Sequence, residues 1–206
     1  FHEEQSSYLA GVAAAKATKK NHIGFIGGVD IPLIHKFEDG FKQGAQSVNP
    51  KIKVESQYLT QTAQEGGFSS PDKGENAAKG QIDAGADVVY AAAGLSGQGV
   101  IKAAAEHKIW AIGVDSDQYN QAPLAKYKKY ILTSALKNVE GAVYDLSKSV
   151  LKDKKPLSGE IRGDLKSGGV GISDSNPAFK SNADLQAAVK KAEEGIKNGS
   201  IVVKTS

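Results

Sequence analysis

Short runs of β-branched and other apolar residues alternate with amphipathic segments along this chain, and the alternation constrains the fold more than any other feature. The apolar runs have the length of strands, and the segments between them carry apolar residues at helical spacing. Strand and helix in regular alternation are typical of a parallel sheet flanked by helices. The sequence therefore predicts an α/β fold built from doubly wound parallel sheets.

The predicted strands cover residues 22–26, 51–58, 87–92, 109–114, 130–133 and 170–172. The predicted helices cover residues 5–18, 32–47, 71–83, 97–106, 138–152 and 182–197. Pro32 suits the first turn of a helix, and Ser70 is a candidate N-cap before Pro71. The continuous apolar run at 87–92 indicates a strand that is covered on both faces.

The strand–helix units suffice for one complete lobe and for part of a second. Residues 21–136 are predicted to form a doubly wound C-terminal lobe. Residues 1–20 are interpreted as a remnant of an N-terminal lobe and a crossover, because an alanine-rich helix opens the chain with no strand before it. Residues 137–206 are interpreted as a return segment that completes the N-terminal lobe and the hinge.

Composition excludes several classes of protein. The net charge of +3 is small and the lysines are scattered, so nucleic acid is not an expected partner. No apolar run has the roughly 20 residues that a membrane span needs. The chain has no cysteine, which excludes disulfides and thiolate metal sites, and its four histidines are dispersed. It also has no methionine, so we expect Phe1 to follow a cleavage.

Polar and glycine-rich segments follow four of the predicted strands. In an open parallel sheet, ligands bind beyond the carboxyl ends of the strands, where loops lead into helices. We therefore expect these segments to meet at one edge and to form one candidate site. They are residues 27–30 (GGVD), 94–99 (GLSGQG), 115–118 (DSDQ) and 134–137 (SALK).

Gly94 opens the segment that most resembles a binding loop. Glycines let a ligand approach the backbone, and the helix that follows offers free N–H groups. The order G-x-x-G-x-G is neither the dinucleotide fingerprint nor the phosphate-binding loop. A tight strand-to-helix turn explains the same glycines, and from spacing alone both interpretations remain open.

Asp115 and Lys137 are the charged candidates at this edge. A carboxylate can accept hydrogen bonds from two neighbouring sugar hydroxyls, and for Asp115 we favour this role. For Asp117, we favour a cap or turn. Lys137 suits a ribose oxygen or neutralises Asp115, although a lysine at such a position is usually a solvated surface residue.

Phe68 lies in a polar loop, where an aromatic residue has no periodic reason to occur. It could stack on a flat heterocycle, or it could fold back onto the core, and the sequence favours neither. Trp110 begins an apolar strand and is predicted to pack. We find no nucleophile elbow and no metal-ligand spacing, so the sequence predicts binding without catalysis, cofactor or metal.

Several motifs, in order along nearly the whole chain, resemble the basic membrane protein family of lipoproteins, which includes the purine nucleoside receptor A group. They are residues 7–11 (SYLAG), 23–28 (IGFIGG), 37–41 (FEDGF), 85–88 (GADV), 93–100 (AGLSGQGV), 113–118 (GVDSDQ) and 133–137 (TSALK). The block at 113–118 is the most distinctive. The resemblance implies a periplasmic-binding-protein-like fold of type I.

The resemblance further implies a solute-binding lipoprotein of an ABC transporter, held outside the cytoplasm by a lipid anchor that this chain lacks. Its implied partners are a nucleoside, preferably a purine nucleoside, and the transporter permease. In that family two phenylalanines sandwich the base, and Phe68 takes the second-lobe position. Residues matching Gly94, Asp115 and Lys137 hold the ribose hydroxyls.

The chain departs from the family in two places. The first-lobe segment, with its lipidated cysteine and base-reading residues, would precede Phe1, and the loop at 60–70 differs from the commonest family form. Three alternatives remain: a same-fold receptor for a sugar or signalling molecule, a regulatory protein without a transport role, and a dinucleotide-dependent enzyme that uses residues 94–99. The glycine order argues against the enzyme.

Overall fold

A computed structural model describes residues 1–206, and six of its segments pair into one sheet. The strands are β1 (His22–Val29), β2 (Lys53–Thr60), β3 (Val88–Ala92), β4 (Trp110–Asp115), β5 (Ile131–Lys137) and β6 (Val170–Ile172). The helices are α1 (Glu3–Ala17), α2 (Pro32–Val48), α3 (Pro71–Asp83), α4 (Gly97–Glu106), α5 (Val139–Leu151), α6 (Pro177–Lys180) and α7 (Ala183–Lys197).

The order of the strands across the sheet is β2-β1-β3-β4-β5-β6. The first five are parallel to one another, and β6 is an antiparallel edge strand on β5. The chain therefore winds one way from β1 to β2 and the other way from β3 onward. This reversal leaves a crevice outside the carboxyl ends of β1 and β3, where doubly wound sheets bind ligands.

Helices cover both faces of the sheet, and β3 shows why. All five of its residues are buried. Tyr90 and its alternate neighbours pack with α1 and α2, whereas Val89 and Ala91 pack with α3 and α4. Successive strand residues point to opposite faces, so a strand that is covered on both sides must be apolar throughout. The predicted doubly wound α/β architecture is confirmed.

α1 and α2 pack unusually close together. An added Cβ at Gly40 would lie 2.1 Å from the carbonyl oxygen of Glu4, and at Gly44 it would lie 2.0 Å from that of Tyr8. Only glycine leaves room for such an approach of two backbones. Together with the alanines of α1, these glycines explain how a helix near the chain start becomes buried along most of its length.

The ends of the chain join the same α/β unit. β6 pairs with β5, and a third core cluster joins α1 to α7 through Leu9, Leu185 and Val189. β6 therefore extends the sheet that β1 to β5 form, and α1 and α7 pack together beside it. Membership of a second lobe in a longer protein stays a prediction for the segments 1–20 and 137–206.

Most element bounds lie within two residues of the prediction, and the larger differences are the later ends of β1 and β5. β1 continues through Gly27 and Gly28, because Gly27 pairs with both β2 and β3. Ser70 occupies the N-cap of α3 as predicted, but its side chain makes no capping hydrogen bond. α6 was not predicted, because four residues are too few to show a periodic pattern.

Candidate ligand-binding site

Phe68, Gly94, Asp115 and Lys137 line one hollow of about 240 Å³ at the carboxyl edge of the sheet. The remaining lining residues are apolar: Leu33, Ile34, Phe37, Ala92 and Val114. The four residues come from four separate loops or strand ends, as the parallel topology requires. The structure thus brings together the predicted set, and its role in binding stays a prediction.

The loop that carries Phe68 is fastened to the turn after β3. The N–H of Leu95 donates to the carbonyl oxygen of Phe68 at 2.9 Å. The hydroxyl of Ser96 donates to the carbonyl oxygen of Gly67 at 2.7 Å and accepts from the N–H of Ser70 at 2.9 Å. These bonds fix the height of the half-buried Phe68 ring above the sheet.

Gly28 and Gly94 provide the space for that ring. An added Cβ at Gly28 would lie 2.4 Å from Cδ1 of Phe68, so a side chain there would displace the ring. Gly94 has a left-handed φ of 55°. A Cβ added at Gly94 would lie 3.0 Å from the carbonyl oxygen of Phe68. Gly94 therefore makes a tight turn and also leaves exposed backbone beside the hollow, so the two interpretations of this glycine are compatible.

Asp115 and Lys137 form an ion pair across adjacent strands. The register sets Asp115 opposite Leu136, which brings the Lys137 ammonium to 3.2 Å from Oδ1 of Asp115. The Asp115 side chain is 50% exposed, whereas Lys137 is 19% exposed. Asp115 also has a left-handed φ of 65°, which only glycine, asparagine and aspartate adopt readily. Because its side chain is half exposed, the carboxylate is open to solvent on the side away from Lys137.

Two residues near Lys137 escaped the sequence analysis. The ammonium lies 5.7 Å from the centre of the Phe37 ring and 3.9 Å from Oε1 of Glu3. Phe37 lies in the motif at residues 37–41, which gives no sign of a contact with Lys137. Glu3 lies 134 positions before Lys137, and no local pattern links a residue in the first helix to the end of the fifth strand.

Asp117 and Gln118 support the loop after β4. Oδ2 of Asp117 accepts from the hydroxyl of Ser175 and from Nδ2 of Asn120, both at 2.6 Å. Oε1 of Gln118 accepts from the N–H of Val114 at 2.9 Å. Asp117 is thus a loop-stabilising residue, as favoured, although it bonds to side chains and caps no backbone N–H.

A polar network lies beside the hollow, on α2 and β2. His35 bonds through Nε2 to Asp30 at 2.7 Å and through Nδ1 to the Tyr58 hydroxyl at 3.2 Å. Tyr58 in turn donates to Glu38. A histidine on a helix is usually solvated, but here Tyr58 packs against α2 and the imidazole is half-buried.

This network shifts two pKa values in opposite directions. Burial, followed by the hydrogen bond to Glu38, raises the pKa of Tyr58 well above its usual range. Burial alone would raise the pKa of Glu38, but hydrogen bonds from Lys42 and Tyr58 outweigh it and lower that pKa. Glu38 is therefore ionised and Tyr58 neutral over the physiological range.

Taken together, the hollow offers an aromatic ring, an apolar floor, a carboxylate and an ammonium. Such side chains can bind a flat apolar ring by stacking and an attached hydroxylated group by hydrogen bonds. Its volume is below the 300–1,000 Å³ or so that is usual for sites enclosing a small molecule. One open hollow of this size covers one side of a ligand.

The sheet order, the crevice and these side chains define an α/β protein with an open hollow at the carboxyl ends of its strands. A family model described as "ABC transporter substrate-binding protein PnrA-like" matches residues 1–206. The chain belongs to this family, which confirms the resemblance found in the sequence.

Bacterial proteins of this family are similar to the chain in sequence. The chain is 39% identical to the "ABC transporter nucleoside-binding protein BmpA" of Lactococcus lactis, over 98% of this chain and 58% of that protein. It is 37% identical to "Basic membrane protein D" of Borreliella burgdorferi, over 98% of this chain and 57% of that protein. The chain thus spans a little over half the length of these relatives.

Solved structures share the fold. A solute-binding protein of an ABC transporter from Aeropyrum pernix superposes with a TM-score of 0.83 at 25% identity, over 100% of this chain and 65% of that one. A Bacillus halodurans protein, described as a transcriptional activator of the comK gene, gives 0.81 at 20% identity, over 98% and 65%. In the present structure, no helix combines the length and apolar character needed to cross a bilayer.

Proposed function

We propose that this protein binds a nucleoside, preferably a purine nucleoside, for delivery to an ABC transporter permease. The observation that carries the proposal is the Asp115–Lys137 pair beside Phe68 in one hollow. The ring of Phe68 offers a face for a base, and the ion pair lies where the attached sugar would follow. The Lactococcus relative is named a nucleoside-binding protein, which supports the same ligand class.

Charge and hydrogen bonding explain why the sugar would be a ribose. A carboxylate accepts and an ammonium donates, so together they satisfy both the hydrogens and the oxygens of two neighbouring hydroxyl groups. A ligand without one hydroxyl would leave a partly buried charge without its partner, which costs roughly 1–3 kcal/mol.

The remaining contacts would come from a second lobe that closes over the ligand. Hinged closure around a ligand is a common response of two-lobed binding proteins. We propose that residues 21–136, together with Lys137, carry one wall of the cleft. We also propose that the protein works outside the cytoplasm, tethered by a lipid. Binding and release of the ligand are its proposed activity, without catalysis.

Calorimetry of the full-length protein tests the proposal. Adenosine, guanosine, uridine, 2′-deoxyadenosine, ribose and NAD would be titrated in turn. Saturable heat is expected with the three ribonucleosides, strongest with adenosine and guanosine. 2′-Deoxyadenosine should bind more weakly than adenosine, because it lacks one hydroxyl. Heat with ribose alone would favour a sugar receptor, and heat with NAD alone would favour the dinucleotide alternative.

Replacement of the aromatic ring tests the proposed stack. Phe68→Ala should weaken nucleoside binding about 10- to 100-fold, because stacking of a base on an aromatic ring contributes about 1–3 kcal/mol. Leu95→Ala is the matched control, since this apolar residue of the adjoining turn is 59% exposed and does not line the hollow. Equal affinities of Phe68→Ala and the unmodified protein would favour a ligand that has no flat ring.

A further inference from the structure

Glu3 is a buried acid whose position needs an explanation. Its side chain is 5% exposed, in the first turn of α1. Oε1 lies 3.9 Å from the Lys137 ammonium, and Oε2 lies 4.0 Å from that of Lys36. Oε2 is buried without a hydrogen-bond partner. A buried carboxylate is costly unless cations compensate it, so Lys36 and Lys137 must balance its charge.

Lys137 is thus held between two carboxylates in different surroundings. Asp115 is half exposed, so water screens its attraction for the ammonium. Glu3 is almost fully buried, so its attraction is screened much less although its oxygen is farther away. The Phe37 ring, 5.7 Å from the ammonium, borders the same cation. Without Glu3, the flexible lysine stem would let the ammonium follow Asp115 outward into water.

Glu3 does not line the hollow, whereas Lys137 and Asp115 do. Of the two lysines that face Glu3, only Lys137 lines the hollow, so Lys137 is the direct link between Glu3 and a ligand. We propose that Glu3 is a positioning residue, which holds the Lys137 ammonium toward the ligand and so sets the preference for neighbouring hydroxyl groups. This inference rests on the proposed nucleoside-binding function.

A second consequence concerns Asp115. Because Glu3 also attracts the Lys137 ammonium, the carboxylate of Asp115 interacts with that ammonium less strongly. It can then accept a hydrogen bond from a ligand hydroxyl. Removing the charge of Glu3 would leave Asp115 as the only carboxylate within 4 Å of Lys137. Both members of the ion pair would then engage each other instead of the ligand.

The chain supplies a matched control in Glu4. It lies in the same first turn of α1 and is also buried, but its carboxylate bonds to Nδ1 of His2 at 2.7 Å and does not approach Lys137. Glu3→Gln and Glu4→Gln each remove one buried charge from the same end of the same helix. A difference between them in ligand preference would come from Lys137, not from the helix end.

The experiment measures the Kd of adenosine and of 2′,3′-dideoxyadenosine in the full-length protein and in both variants. In Glu3→Gln, adenosine should bind about tenfold more weakly while dideoxyadenosine, which lacks both hydroxyls, changes less than about threefold. Glu4→Gln should preserve the ratio of the two Kd values. A Glu3→Gln variant with an unchanged ratio, whether its affinities stay constant or fall together, would overturn the proposal.

A ligand-free measurement separates this inference from the proposed function. The ammonium protons of Lys137, assigned with a Lys137→Arg variant, should give an NMR signal that broadens in Glu3→Gln and persists in Glu4→Gln. If the unmodified protein binds no nucleoside, the proposed function fails and this signal alone decides whether Glu3 positions Lys137. A signal that is unaffected in Glu3→Gln would refute the positioning role.

Discussion

Asp115 combines two properties that point mutations can separate: a left-handed backbone and an outward carboxylate. Asparagine tolerates the same backbone region, whereas alanine does not. Asp115→Asn should therefore change the free energy of unfolding by less than about 1 kcal/mol, since an exposed ion pair contributes little. Nucleoside affinity should nevertheless fall about tenfold or more. Calorimetry and urea denaturation give the two quantities.

Asp115→Ala is the comparison that isolates the backbone. It should lower stability by about 1 kcal/mol more than Asp115→Asn does, because alanine is strained at a φ of 65°. If both variants retain full affinity, Asp115 does not contact the ligand.

Tyr58 makes stability sensitive to alkaline pH. Burial and its bond to Glu38 raise the pKa of this tyrosine above the ordinary 10.0. The folded protein therefore resists ionisation of Tyr58, and this contribution to stability is complete below pH 10 and declines as the pH rises above it. Tyr58→Phe should lose about 1–2 kcal/mol at pH 7 and show a shallower decline above pH 10 in urea titrations.

Tyr90 limits the size of that change. It is fully buried and bonds to Ser7, and burial raises its pKa as well, so part of the alkaline decline should persist in Tyr58→Phe. An unchanged slope above pH 10 in this variant would show that Tyr58 is not protected in the folded protein.

At the residue scale, the sequence could predict candidate site residues at strand ends, but not the residues of other elements that contact them. Asp115 and Lys137 follow recognisable apolar strands, so topology alone brings them to one edge. Glu3 and Phe37 come close to Lys137 because α1 and α2 pack on the sheet in one particular position. No spacing rule encodes that contact.

At the scale of elements, α1 and α2 pack so closely that glycine is required where their backbones meet. Gly44→Ala would place a Cβ 2.0 Å from the carbonyl oxygen of Tyr8, so the helices must separate. We expect a loss of about 2 kcal/mol or more in the free energy of unfolding, within the range for overpacking of a core. Urea denaturation measures the loss.

Gly80 provides the opposite case. It lies in α3, and an added Cβ there meets nothing within 4 Å. Gly80→Ala should stabilise the protein by about 0.5–1 kcal/mol, because alanine restricts the unfolded chain and favours helix. Equal effects of Gly44→Ala and Gly80→Ala would contradict the close approach of α1 and α2.

Elements were predictable where a local signal marks both ends. α3 begins at Pro71, directly after Ser70, and ends two residues before Gly85. α4 follows a glycine-rich turn. Both helices therefore have the predicted bounds. β1 runs past its two glycines because neighbouring strands supply partners on both sides. That support is a tertiary effect, and a local reading of Gly27 and Gly28 as a strand end cannot include it.

At the scale of the whole molecule, the sheet places all the candidate residues on one wall. The hollow lies where the strand order reverses, and it is open on the side away from the sheet. Elsewhere, α5 carries exposed apolar side chains, including Val143, Tyr144 and Leu146. Ligand sites of small-molecule binders usually bury 70–90% of the ligand surface. A single wall meets that requirement only in part.

Residues 1–206 alone should therefore bind adenosine at least 100-fold more weakly than the full-length protein does, because stacking on one face and one ion pair supply only part of the contact energy. Ligand-detected NMR measures the weak affinity, and calorimetry measures the strong one. Circular dichroism of the 206-residue chain must show its helices and sheet, so that weak binding is not mistaken for unfolding. Micromolar binding by these residues alone would mean that the hollow formed by Phe68, Gly94, Asp115 and Lys137 is a sufficient site, and that closure by a second wall adds selectivity rather than affinity.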